Sequence, residues 1–220
     1  MAEYTVLDLF CGRGGFSSAF RDSDEWDVVI VDIDERFDPT ICADVFDLRP
    51  SEFTRDFDVV LASPPCTQFS MANQPNPHWN GDTPTSDDVR DAIALVYHTL
   101  GIIRGLNPAY WFLENPRQGK LSTVLGKPTG YVTYCQYGLE WQKPTDLWGD
   151  HPQMQYLTCQ QGAACHQRAE GGWDTGEKRK HVRDPAERSL VPDDLSNAIR
   201  NACEAGICGE VAEQVTLDAV

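Results

Sequence analysis

Along the first half of the chain, short apolar runs alternate with helix-forming stretches, and each run stops at a polar motif. Thr5–Phe10 (TVLDLF) reads as a strand that enters the glycine turn Cys11-Gly12-Arg13-Gly14-Gly15, with a helix from Phe16 to Arg21. Trp26–Ile33 (WDVVIVDI) is a second strand ending in acids, and Phe57–Ala62 (FDVVLA) a third that enters SPPC. Ser86 caps the next helix, whose apolar positions Val89, Ile93, Val96, Leu100 and Ile103 recur at helical spacing, with Asp87 and Asp88 suited to its first turn. After Asn107-Pro108 a strand from Tyr110 to Leu113 delivers Glu114. Such alternation predicts an α/β fold, a doubly wound and mostly parallel sheet whose ligand sits over the carboxyl ends of the strands.

Beyond about Tyr131 the alternation weakens. A strand pair (YVTYCQYGL and KPTDLWG) leads into a polar stretch from Thr158 to Arg188, and a closing helix spans Arg188–Ala205. Pro192 suits the first turn of that helix, and Leu195, Ile199 and Ala202 form its apolar stripe. Residues 73–85, rich in Asn, Pro, Gly and Asp, read as a loop. The predicted organisation is a catalytic domain over residues 1–150, a short contact region over 151–188 and a C-terminal helix over 189–220 that packs back on the first domain. With 220 residues and 41% hydrophobic side chains the chain can bury a core of its own. The longest charge-free apolar run, Ala92–Ile103, is well short of the roughly 20 residues that cross a bilayer. No membrane partner is expected, and the N-terminus lacks the pattern of a secretion signal, so an intracellular location is expected.

Thirty-four acidic against 18 basic residues give a formal charge of -16, which repels polyanions over most of the surface. Acidic residues spread along the whole chain suit solubility at high salt, where screening is strong, so a halophilic protein is expected. The eight cysteines, in a chain of this length without a secretion signal, are expected to be reduced. Cys159, Cys165, His166, His181 and Cys135 are candidate metal ligands by residue type; the C-x5-C-H spacing matches no standard finger, and ordinary packing is the expectation.

The motifs carry the chemistry. The glycine turn allows a ligand close to the backbone, and Asp32, about 20 residues on, stands where a carboxylate can take a ribose hydroxyl pair. Asp44 can accept an adenine amino proton. Taken singly these are ordinary surface acids; their placement after successive strands points to a nucleoside cofactor. In Ser63-Pro64-Pro65-Cys66, two prolines hold the loop extended and set Cys66 at the mouth of the sheet as a positioned nucleophile. Glu114-Asn115-Pro116 brings a carboxyl group to the same edge, where it can act as a proton donor or cap the following helix.

DLFCGRGGFSSAF, SPPCTQFS and ENP, in this order, resemble the cofactor, nucleophile and acid motifs of the cytosine-C5 DNA methyltransferases over roughly residues 4–149. Amino-group methyltransferases carry an aromatic residue after the paired prolines and need no thiol. The resemblance implies a class I methyltransferase fold, S-adenosylmethionine as cofactor and DNA with a flipped cytosine as partner. It implies a Cys66 thiolate that adds to cytosine C6 so that C5 becomes nucleophilic, Glu114 as the acid at N3, and Asn115 steadying the loop beside it. Phe10, Gly12, Gly14, Gly15, Asp32, Asp44 and Pro64 match cofactor-lining positions. Gln142 opens the element that usually carries an arginine pair, but Lys143, Pro144, Thr145 and Asp146 follow it; Lys143 and Arg117 are candidate phosphate partners, and a surface lysine in a turn explains Lys143 equally well. Lys178, Arg179 and Lys180, with His181 and Arg183, form a basic cluster that can touch phosphates or be a solvated loop. Two rivals stay open: the same chemistry on transfer RNA, and a catalytically silent nucleic-acid-binding protein of the same fold.

Overall fold

The computed structural model describes residues 2–70, 78–160, 163–165 and 189–209. Its main sheet contains β1 (Tyr4–Leu9), β2 (Trp26–Asp32), β3 (Ile41–Cys42), β4 (Val59–Ala62), β7 (Tyr110–Pro116), β8 (Gly130–Thr133) and β9 (Pro144–Asp150). The spatial order is β3-β2-β1-β4-β7-β9-β8, and β5 (Trp79–Asn80) pairs with β6 (Thr83–Pro84) in a separate hairpin. The β3-β2-β1-β4-β7 half is parallel, whereas β9 runs antiparallel to both of its neighbours. The helices are α1 (Ser18–Arg21), α2 (Asp87–Leu106), α3 (Leu121–Leu125) and α4 (Asp193–Ile207).

The central strands are buried on both faces, which is why they read as nearly continuous apolar runs. Alternate residues feed two cores. Val6, Val59, Leu61 and Phe112 pack with Phe20 of α1 and with Leu195 and Ile199 of α4, while Leu7, Leu9, Val60 and Leu113 pack with Val96 and Ile103 of α2. The short α1 is clasped by α4: Ser196 Oγ accepts from the Ala19 amide and donates to the Phe16 carbonyl, and Arg200 donates to the Ala19 carbonyl. Ser86 caps α2 as its sequence suggests, accepting from the Val89 amide.

Several boundaries differ from the sequence reading, each for a physical reason. The helix after the glycine turn begins at Ser18 instead of Phe16; Ser17 is its N-cap residue, but the Ser17 hydroxyl leaves the helix uncapped and donates to buried Asp8 at 2.6 Å. Part of the expected 73–85 loop is the β5–β6 hairpin, turned at Gly81 with φ 58°. The strand expected from Tyr131 to Leu139 stops at Thr133 and tightens into a 3-10 turn over Tyr134–Tyr137, ended by Gly138. In α4, Pro192 is the N-cap residue just outside the first turn. The buried stripe of α4 runs through Leu195, Ile199 and Cys203, a strict spacing of four, so Cys203 takes the place expected of Ala202. The two-residue β3 is too short for any periodicity to register. Among the described residues no helix is long and apolar enough to cross a membrane.

Candidate active site

Strand register builds the site. Val31, Leu9, Ala62 and Leu113 lie in one row across β2, β1, β4 and β7. The next residues at the carboxyl edge are therefore Asp32, Phe10, Ser63 and Glu114, the start of each polar motif. Neighbouring strands are about 4.8 Å apart, so the row from Asp32 to Glu114 spans roughly 15 Å, with the nucleophile loop beside Glu114.

At the β1 end the chain turns abruptly. Phe10 holds φ 64° and Gly12 φ 49°; the first is rare for an aromatic residue and marks a backbone that the surrounding packing holds in place. A Cβ on Gly12 would enter open space. The Gly12 amide donates to Asp32 Oδ2 at 2.8 Å, and the Asp34 amide donates to Asp32 Oδ1 at 2.9 Å. Gly14 lies under the Arg21 guanidinium, and a Cβ on Gly15 would collide with the Val191 carbonyl. Gly15 is thus required by the close passage of the segment before α4. Asp44 accepts from the Phe46 amide at 2.9 Å. Beside these acids stand two large apolar side chains missed in the sequence reading: Ile33 is 68% exposed and Phe46 37%. In sequence they are only the residue after Asp32 and the second after Asp44; exposure is what distinguishes them.

The Cys66 loop is braced at both ends. Before Cys66, the Ser63 amide donates to the Leu9 carbonyl and Asn115 Nδ2 donates to the Pro64 carbonyl at 3.0 Å. After it, the Cys66 carbonyl accepts from the amides of Phe69 and Ser70, while Trp79 Nε1 donates to Gln68 and the Lys120 amide to Phe69. Buried Asn115 therefore ties the Glu114 strand to the Cys66 loop. Cys66 itself is half-buried, and none of the eight cysteines is joined in a disulfide.

Glu114 is 5% exposed, and its Oε1 accepts from the Tyr134 hydroxyl at 2.8 Å. Lys143 Nζ lies 3.7 Å from the same oxygen and 4.5 Å from the centre of the Tyr134 ring. Burial, then the Glu114 carboxyl group, push the Tyr134 phenol well above its usual range, and Cys66 contributes to the same shift. The phenol is thereby kept as a donor. Tyr134 was missed in the sequence reading because nothing in the local pattern sets it apart; the need of a fully buried phenol for a partner becomes visible only in the fold.

The other expected contact residues take varied places. Arg117 forms an ion pair with nearly buried Asp146 at 2.5 Å and lies 3.8 Å over the Tyr131 ring. Burial still raises the Asp146 carboxyl, against the opposing effect of Arg117. The Gln142 amide donates to Cys159 Sγ at 3.2 Å, away from the Glu114 cluster. Lys178, Arg179 and Lys180 lie outside the described residues, as do His166, His181 and Arg183.

A doubly wound sheet with one antiparallel strand near its edge, and chemistry gathered at its parallel carboxyl edge, defines an α/β protein of the class I methyltransferase fold. The fold is shared with the Entamoeba histolytica methyltransferase EhMeth, with TM-score 0.50 and 14% identity over 73% of this chain and 58% of that one. Residues 4–121 match the C-5 cytosine-specific DNA methylase family, and the chain belongs to that family. It is 32% identical to a Frog virus 3 (isolate Goorha) protein named "Probable DNA (cytosine-5)-methyltransferase", over 73% of this chain and 77% of the viral one. It is also 30% identical to the type II methyltransferase M.XorII of Xanthomonas oryzae pv. oryzae, over 50% of this chain but only 27% of that longer enzyme.

Proposed function

We propose that the chain is an S-adenosylmethionine-dependent DNA cytosine-5 methyltransferase with Cys66 as nucleophile and Glu114 as acid. The observation that carries this reading is the adjacency of the two motifs: β4 and β7 are in register, and Asn115 hydrogen-bonds the loop that presents Cys66.

The residues at the β1 and β2 ends suit the cofactor. The open side of Gly12 leaves room for a ligand against the backbone. Asp32 spends only two acceptor positions on the amides of Gly12 and Asp34, so lone pairs remain for ribose hydroxyls. Ile33 and Phe46 offer exposed apolar surface for a base, with Asp44 as acceptor for its amino group. When bound, S-adenosylmethionine supplies an electrophilic methyl group for C5 of the cytosine.

The protein must make C5 nucleophilic. Cys66 Sγ bonds to C6 and its electron pair shifts into the ring, giving C5 enamine character. Glu114 hydrogen-bonds the N3 edge, where negative charge develops, and supplies a proton there. Lys143 adds positive charge beside the same carboxyl, partly offsetting the missing arginine pair. Tyr134 holds the Glu114 oxygen in place, and Asn115 fixes the distance between acid and nucleophile loop. Loss of the C5 proton and β-elimination then release Cys66. Because C6 is shielded in a stacked duplex, the base must leave the stack first.

Incubation with methyl-labelled S-adenosylmethionine and either duplex DNA or transfer RNA tests the proposal. Label in 5-methylcytosine of DNA is expected. Label in RNA alone would transfer the same chemistry to the other polymer, and label in neither would leave a silent binding protein of this fold.

A further inference from the structure

The feature that this chemistry leaves unused is a knot of sulfur beside it. Cys135 sits in the 3-10 turn after β8, Cys159 in the extended segment after β9, and Cys165 in a turn of its own. Their Sγ atoms all lie within 4.8 Å of one another: Cys135 to Cys159 is 3.1 Å and Cys135 to Cys165 is 3.7 Å. These separations are too long for a disulfide, whose sulfurs stand about 2.05 Å apart. Tetrahedral zinc, with Zn–S bonds of about 2.3 Å, sets ligand sulfurs about 3.8 Å apart; the Cys135–Cys165 pair at 3.7 Å matches that spacing, and the Cys135–Cys159 pair at 3.1 Å needs only to open by about 0.7 Å to reach it. Cysteines that pack merely as small hydrophobes have no reason to converge on one point from three separate stretches of chain.

The surroundings support a ligand set. The Gln142 amide donates to Cys159 Sγ, the kind of N–H···S bond that orients and stabilises a metal-bound thiolate. The backbone presents Cys159 firmly, since its amide donates to Thr133 Oγ1 and the Thr133 amide donates to the Leu157 carbonyl. We propose that Cys135, Cys159 and Cys165 bind a structural zinc ion. Soft thiolates in tetrahedral array select zinc among the common divalent ions. Binding replaces three thiol protons by Zn2+, so three protons are released, and the fourth corner takes one further donor.

The placement gives the ion a purpose. Cys135 directly follows Tyr134, whose hydroxyl holds Glu114 and whose amide donates to the Lys143 carbonyl. Zinc would pin Cys159 and Cys165 to the turn that carries the proposed supports of Glu114. The sequence expectation of ordinary packing rests on the C-x5-C-H spacing of Cys159, Cys165 and His166, which matches no standard finger; the approach of Cys135 to Cys159 across 24 residues is visible only in the fold. This inference does not depend on the methyltransferase reading.

The test uses the full chain, purified under reducing conditions without a metal-binding tag, with zinc measured by elemental mass spectrometry. About one zinc per chain is expected in the wild type and in Cys42→Ser, a control at an exposed cysteine elsewhere in the fold. A fall of roughly tenfold is expected in Cys159→Ser and in Cys165→Ser; both variants are checked by circular dichroism. Cobalt exchanged into the wild type should give a thiolate charge-transfer band that Cys165→Ser lacks. Trace zinc in the folded wild type, zinc unchanged in both variants, or a Cys135–Cys159 disulfide in its place would overturn the proposal.

Discussion

The two halves of the sheet follow different rules. In the parallel half, β1, β4 and β7 each end in a motif, and register alone brings the glycine turn, the Cys66 loop and Glu114 to one edge. In the antiparallel end, the turn after β8 carries Tyr134 and the residue just before β9 is Lys143, the two groups that meet Glu114, and the Gln142–Asp146 stretch departs from the family pattern at the arginine pair. There the cations have been redistributed. Lys143 reaches Glu114, and Arg117, from the parallel half, pairs with Asp146 across the strands. The proposed bond-making groups thus sit where topology dictates, while the groups proposed to tune them sit where side-chain replacements can trade places.

Substitutions can break this contrast. Cys66→Ala, in the parallel half, should lower methyl transfer by a factor on the order of 10⁴ or more in a single-turnover assay while leaving the melting temperature nearly unchanged. Residual activity within tenfold of wild type would remove Cys66 from the reaction.

Also in the parallel half, Asp8 is fully buried, and burial pushes its carboxyl up to about 7 against the opposing hydrogen bond from Ser17. The native state therefore holds a proton that the unfolded chain releases near the ordinary carboxylate value. Its contribution is present in full below about pH 4 and is lost as the pH climbs to about 7, an effect on the order of 4 kcal/mol. Asp8→Asn should be more stable than wild type at pH 8 and about equal at pH 4 in urea titrations. An advantage independent of pH would contradict the buried proton.

Effects in the antiparallel end should be smaller and graded. Tyr134→Phe deletes the donor to Glu114 and is expected to cost about 1.5–3 kcal/mol of stability, with kcat falling further than KM rises. Lys143→Met should reduce kcat roughly tenfold, equivalent to about 1.4 kcal/mol, and Lys143→Arg should recover most of it. A change in KM alone would make Lys143 a DNA contact and nothing more. The smallest effect tests the acidic surface: the melting temperature should rise by a few degrees with molar KCl as self-repulsion is screened.

The same contrast explains what was legible in the sequence. Parallel strands buried on both faces leave continuous apolar runs, so Tyr4–Leu9 and Val59–Ala62 were found within two residues of their ends. The polar motifs at their ends gave the site its main residues. The antiparallel end is less legible: the strand expected to run from Tyr131 to Leu139 ends six residues earlier, because Tyr134–Tyr137 keeps a strand-like composition while turning. Tyr134 as the partner of Glu114, Arg117 as the partner of Asp146, and the convergence of three cysteines all depend on contacts between segments far apart in sequence. No local period encodes such contacts. Gly15, read as a cofactor residue, faces Val191 more than 170 positions away, which the spacing of the glycine turn could not disclose.

The account rests on a bond between Cys66 and a cytosine ring, and that bond can be trapped. DNA whose cytosines carry fluorine at C5 blocks release of the enzyme, since fluorine cannot leave as the proton does. With S-adenosylmethionine present, denaturing electrophoresis and peptide mass spectrometry should find a covalent protein–DNA species joined at Cys66 and missing in Cys66→Ala. An adduct at another residue, or methylated cytosine formed by the Cys66→Ala protein at wild-type rate, would contradict it.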